Sequence, residues 1–210
     1  LLPTKGNFDA SNNYIKFNTG LESNNLQRIL GFTLMYNTPK YYFTVNLNYR
    51  KANEYTDGAA NKIAYSGFTK YNLASYIGRK LNAKHLLEGG IIYDKAINVG
   101  YPGLPMDVGL AKAIILNLQH VYHDSLSFFN HVSSKIYFNM VHHVMDDSQR
   151  PNLVVRMDMP GWTQTVGWNF MATAKTSNHK LTLQHQGHNN YSFADMTMYT
   201  ANATELPMYM

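Results

Sequence analysis

From Lys40 to Arg50 the sequence reads KYYFTVNLNYR, and its residues alternate in character without a break. Tyr41, Phe43, Val45, Leu47 and Tyr49 fall on one face of an extended strand, and Tyr42, Thr44, Asn46, Asn48 and Arg50 on the other. Similar stretches recur along most of the chain, and their polar faces carry amides and charges that a packed soluble core does not accept. The polar face therefore looks into water and the apolar face into a nonpolar medium. Tyr41 and Tyr49 stand at the two ends of the apolar row, where hydrocarbon would meet its interfaces. The pattern predicts an all-β, antiparallel transmembrane β-barrel wall.

Composition narrows the alternatives. Only 15% of the 210 residues are charged, yet no run approaches the roughly 18 consecutive apolar residues that a spanning helix needs. The 16 tyrosines, with Asn and Thr, suit strands that have one face in lipid and one in a hydrated lumen. A soluble β-sandwich rich in Tyr and Asn is the alternative that composition alone leaves open. With no cysteine, the chain has no disulfide framework, thiolate metal site or cysteine nucleophile. Its net charge of +5 comes from Lys and Arg scattered singly, so no nucleic-acid-binding stripe is expected.

Nine strands are predicted, near Asn13 to Gly20, Leu26 to Tyr36, Lys40 to Arg50, Phe68 to Lys80, His85 to Ala96, Ala111 to Tyr122, Phe128 to Met145, Thr163 to Lys175, and Lys180 to Phe193. Short connections carry turn residues: Asn37-Thr38-Pro39, Leu81 to Lys84, His123 to Ser127, and Thr176 to His179. Between them lie longer ones, Lys51 to Gly67, Ile97 to Leu110, and Asp146 to Trp162. Short turns on one rim and long loops on the other are the arrangement of outer-membrane barrels. Alternation assigns Ile136, Phe138 and Met140 to lipid, with Lys135, Tyr137, Asn139, Val141, His143 and Met145 on the lumen side. Val166, Trp168, Phe170, Ala172 and Ala174 also face outward.

An odd strand number conflicts with the even counts of bacterial single-chain barrels, and an open edge in lipid leaves backbone groups unpaired at several kcal/mol each. The chain start shows no signal-peptide pattern, and Leu206 to Met210 reads as mid-loop. The expectation is that residues 1–210 form part of one barrel domain, about nine strands of a larger wall.

The residues with most individual character lie in the long connections: Asn48 to Gly58 (NYRKANEYTDG), Asp94 to Asp107 (DKAINVGYPGLPMD), His142 to Pro151 (HHVMDDSQRP) and Arg156 to Trp162 (RMDMPGW). In this order and spacing they resemble the barrel domain of TonB-dependent outer-membrane receptors, especially those of Bacteroidetes-type bacteria. The resemblance covers nearly the whole chain. It implies a 22-stranded barrel around an N-terminal plug, with neither the plug nor the C-terminal strands in these 210 residues. It further implies a bacterial outer-membrane location and a TonB complex acting through the plug. The cargo would be a metal chelate, an iron–siderophore first, with cobalamin or copper as alternatives. A structural or adhesive outer-membrane β-protein is the alternative class, and a diffusive porin the third.

Eleven methionines and nine histidines concentrate in the second half of the chain. His143 and Met145 share one strand face, as do Met157 and Met159, so soft ligands can converge on one ion. Thioether and imidazole suit copper(I), and the family includes copper importers; packing in irregular loops is the competing role for the same methionines. Tyr55, Tyr101, Trp162 and Tyr199 are expected as loop aromatics, either holding a ligand or forming the outer aromatic girdle. Asp146-Asp147 with Asp158 reads as a solvated turn, since no calcium-loop spacing is present. The motifs G-x-S-x-G and H-E-x-x-H and the phosphate loop are all absent, so no enzyme and no resident cofactor are expected.

Overall fold

Period-two alternation becomes one 11-stranded antiparallel sheet. The structure, a computed structural model, describes residues 5–9, 13–151, 153–176 and 178–200, and the backbone of 205–208. The strands are β1 (Tyr14–Glu22), β2 (Gln27–Asn37), β3 (Tyr41–Ala52), β4 (Phe68–Lys80), β5 (His85–Val99), β6 (Asp107–His123), β7 (Phe129–Asp146), β8 (Val155–Lys175), β9 (Lys180–Ala194), β10 (Met196–Thr200) and β11 (Glu205–Met208). β1 to β8 pair in chain order; β9 and β10 share the far edge of β8, and β11 pairs β10. No pairing joins β1 to β9 or β11 among the described residues, so the sheet is unclosed.

The register aligns like with like across the whole wall. One rung runs Tyr42, Gly78, Glu88, Gln119, Lys135, Asn169, Gln186, and it is polar apart from the glycine. The neighbouring face carries Phe17, Phe32, Leu47, Leu73, Tyr93, Ile114 and Met140 on a single rung. A shift by one residue would exchange these faces, which is why strands with one hydrated face hold their register. Leu118, Ile136, Val166 and Trp168 are exposed on the apolar side. No helix among the described residues is long and apolar enough to cross a membrane, which says nothing of crossing by strands.

Four of the strand glycines sit opposite aromatic rings. Tyr42 pairs Gly78, Tyr76 pairs Gly90, Tyr137 pairs Gly167 and Trp168 pairs Gly187. A Cβ at Gly78 would lie 2.2 Å from the Tyr42 ring, and one at Gly167 2.3 Å from that of Tyr137. Each ring lies flat over its partner's bare backbone, restoring packing that a strand glycine loses.

Three expectations need correction. The connection placed at Asp146 to Trp162 shortens to residues 147–154, because β8 starts at Val155 and is 21 residues long. Pro160 argued against a strand there; it sits where the partner of β8 changes from β9 to β10, and its carbonyl accepts the Asp195 amide at 3.0 Å. The tail expected as mid-loop supplies β11, whose pairing with β10 outweighs its lack of alternation. Lastly, Tyr42 and Thr44, expected on a face that looks into water, are covered within this chain: they are only 1% and 0% exposed. The Phe8 ring meets Tyr42 edge-on at 5.2 Å, Lys5 pairs with Glu88 at 2.7 Å, and the Tyr42 hydroxyl donates to Glu88 at 2.7 Å.

Candidate functional site

The soft donors meet on the inward face at the long-loop end. In β7, His143 and Met145 follow Lys135, Tyr137 and Asn139 on the polar row. Met145 lies directly opposite Met159 of β8, and Met157 directly opposite Met198 of β10. Opposed side chains on one face have Cβ atoms about 5 Å apart, so four thioethers occupy two successive rungs. Met196 shares their face, two residues before Met198. His143 stands one rung toward the membrane, between Ala111 of β6 and Gly161 of β8. These small neighbours leave the imidazole open to the lumen side. Met106, 6% exposed, lies beside the outer tip of β6.

His142 takes the opposite face. Its ring meets Trp162 edge-on at 6.2 Å, and Trp162 stacks on Phe193 at 4.4 Å. Trp162 therefore belongs to an outward aromatic row, not to a loop. Tyr199 is likewise a strand residue, opposite Arg156 on the outward row of β8. Tyr55 and Tyr101 are loop residues, 41% and 42% exposed. The four candidate aromatics thus do not converge: two sit on long loops and two on the outer wall.

A buried ionic hub fixes the long loops. Arg150 donates to Asp107 through Nε (2.8 Å) and an Nη atom (2.5 Å), and to the Tyr101 carbonyl at 2.9 Å. Its guanidinium also lies 3.7 Å from the centre of the Tyr65 ring. Tyr65 has φ 59°, a left-handed conformation that costs a non-glycine residue about 1–3 kcal/mol. Its amide donates to Glu54 at 2.7 Å, and the Lys62 ammonium first, then this amide, holds the Glu54 carboxyl below its ordinary range. Asp107 also accepts the Tyr101 amide at 3.0 Å, so the Tyr101 ring projects from a fixed backbone.

The neighbouring acids divide between roles. Asp147 is 3% exposed and accepts the Met157 amide at 2.8 Å, which ties the loop to the methionine rung. Asp146 faces Asp158 across β7 and β8. Burial, then the charges of Asp146 and Asp147, push the Asp158 carboxyl above its usual range. Among the described residues no group of three or more His, Asp or Glu is placed to hold a metal ion. The donor set that the fold does bring together is thioether and imidazole, which suits a soft, monovalent ion.

Sequence reasoning alone left Met196 and Met198 outside the donor set. The signal was present: Met157-Asp158-Met159 and Met196-Thr197-Met198 repeat one Met-x-Met spacing, which puts both methionines of each pair on one strand face. The Arg150 hub had no such signal, since Tyr65, Asp107 and Arg150 are joined only by loop folding.

No protein-family model matches the chain. No curated protein matches it either. Among solved structures 27 chains match. One is the copper transporter OprC, similar with a TM-score of 0.72 and 20% sequence identity over 87% of this chain. The match covers 29% of that protein, so the chain spans less than a third of its length. At this identity the likeness is one of fold: an antiparallel all-β sheet similar to an outer-membrane barrel wall, here unclosed.

Proposed function

We propose that this chain is part of the wall of a bacterial outer-membrane barrel that imports a metal, energised through a plug domain and TonB. The outward apolar belt, its aromatic rims and the hydrated inner face support a membrane location. In a bilayer the free edges of β1 and β9 need partner strands, so further strands complete the barrel. The wall takes no part in covalent chemistry. It captures cargo at the long-loop end, and rearrangement of the plug opens the passage.

The observation that carries the cargo reading is the inward methionine ladder, Met145 opposite Met159 and Met157 opposite Met198, with His143 one rung below. Thioethers favour copper(I) over hard cations. The name of the similar copper transporter points the same way. A larger chelate, an iron–siderophore or cobalamin, is the second reading, favoured by the exposed rings of Tyr55 and Tyr101. The test is copper accumulation by cells carrying the full-length protein with His143→Ala, Met145→Leu and Met159→Leu combined. The expected result is loss of copper uptake with normal membrane assembly. Normal copper uptake in that variant, with chelate uptake lost in Tyr55→Ala/Tyr101→Ala, would establish the second reading instead.

A further inference from the structure

The outward face of β2 to β6 carries charges that transport does not use. Arg28 lies directly opposite Lys51, and Lys95 directly opposite Lys112, all four on the apolar side of the sheet. Like charges directly opposed on a sheet are destabilising, and here the arrangement occurs twice. None of the four makes an ion pair among the described residues. Lys112 lies 5.9 Å over the ring of Tyr93. The outward rows of β1 to β6 hold one carboxylate, Asp107 at the tip of β6, and it is buried against Arg150. The charges on these outward rows that make no ion pair among the described residues are therefore all cationic.

The level of these cations is informative. Lys95 and Lys112 share a rung with Tyr49, Tyr71, His142 and Trp162, the aromatic row of the long-loop rim. Arg28 and Lys51 stand one rung farther out. Cations at an interface attract lipid phosphates, whereas the same charges a few rungs lower would sit in hydrocarbon. Below them the outward face is indented by a groove of about 460 Å³, lined by Phe17, Phe32, Leu47, Tyr49, Tyr71 and Tyr93 among others. The nearest members of the two pairs, Lys51 and Lys95, are two strand spacings and one rung apart, roughly 12 Å, and the pair centres are three spacings and one rung apart, roughly 16 Å.

We infer that this face docks a phosphorylated glycolipid of the outer leaflet. One phosphate bridges Lys95 and Lys112, a second bridges Arg28 and Lys51, and an acyl chain lies in the groove. Each bridging anion turns a repulsive pair into a charge-assisted contact. The inference rests on the outer-membrane reading above.

The test places the full-length protein in phosphatidylcholine nanodiscs and titrates a bis-phosphorylated, six-chain disaccharide lipid against its dephosphorylated form. The expected result is phosphate-dependent binding that weakens by about tenfold or more in K95Q/K112Q and in R28Q/K51Q. Arg79→Gln, outward-facing at the opposite rim, leaves it unchanged. Equal binding of the two lipids, or unchanged affinity in both double variants, overturns the inference while the outer-membrane reading stands. Failure of the wild-type protein to integrate into bilayers overturns both.

Discussion

Two buried polar clusters hold opposite ends of the sheet, and they are built in different ways. At the short-turn end, Tyr42 and Glu88 occupy one rung through Gly78, and residues 5–9 cover them. That cluster is a product of register, because strand pairing alone brings its two wall residues together. At the long-loop end, Arg150 and Asp107 meet across 43 residues of sequence, with Tyr65 beneath them. That cluster depends on loops, and its core is an ion pair with side chains only 9% and 7% exposed. Register-built polar contacts share their load with backbone ladders, whereas the loop-built pair stands or falls with its two charges.

The largest effect is expected from Arg150→Met. It leaves Asp107 charged and buried with the Tyr101 amide but no counter-charge, which costs about 3–5 kcal/mol locally. Hydrogen exchange should quicken through residues 53–67, 100–106 and 147–154 and stay slow in the strands. Adding Asp107→Asn should restore much of the protection. Uniform quickening across the sheet would mean that the hub supports the wall as well as the loops, and the contrast between the two ends would fail.

A smaller effect is expected from Tyr42→Phe, which removes the 2.7 Å hydrogen bond to Glu88 but keeps the ring against Phe8 and over Gly78. Glu88 retains Lys5, so the loss in urea unfolding should be about 1–2 kcal/mol. A loss as large as that at Arg150 would show that the register-built cluster is equally dependent on one charge.

The smallest effect concerns Asp158, whose carboxyl burial and the nearby Asp146 and Asp147 hold above its ordinary range. The folded state then binds a proton more readily than the unfolded one. Stability therefore falls as pH rises from the unfolded value, about 3.9, through the raised folded value, and the penalty persists at neutral pH. Asp158→Asn should remove that slope and slightly stabilise the long-loop end at neutral pH, measured as exchange protection in 147–154 across pH. An unchanged slope would assign the pH dependence to other carboxylates.

Much of the wall was legible because strand periodicity is local. Tyr41 to Tyr49 on one side and Tyr42 to Arg50 on the other follow from side-chain alternation, and the register extends it from β1 to β9. The predicted pairing of faces for His143 with Met145, and for Met157 with Met159, is of the same kind. What alternation could not give was adjacency between strands, so Met198 opposite Met157 emerged only from the sheet. Trp162 and Tyr199 lie on strands for a related reason: tertiary pairing carries β8 past Pro160, and it sets β10 against the outer end of β8.

The sequence by itself determined that strands would form, which residues would share a face, and that one face would be apolar and the other hydrated, since all three follow from a two-residue repeat. Only the tertiary structure decided which faces meet which. It set Met145 against Met159, Lys95 against Lys112, and Arg150 in its buried place between loops. Residues 5–9 lie over Tyr42 because its pairing with Gly78 opens room on the inner wall. These contacts join residues far apart in the chain, and no local preference encodes such distances.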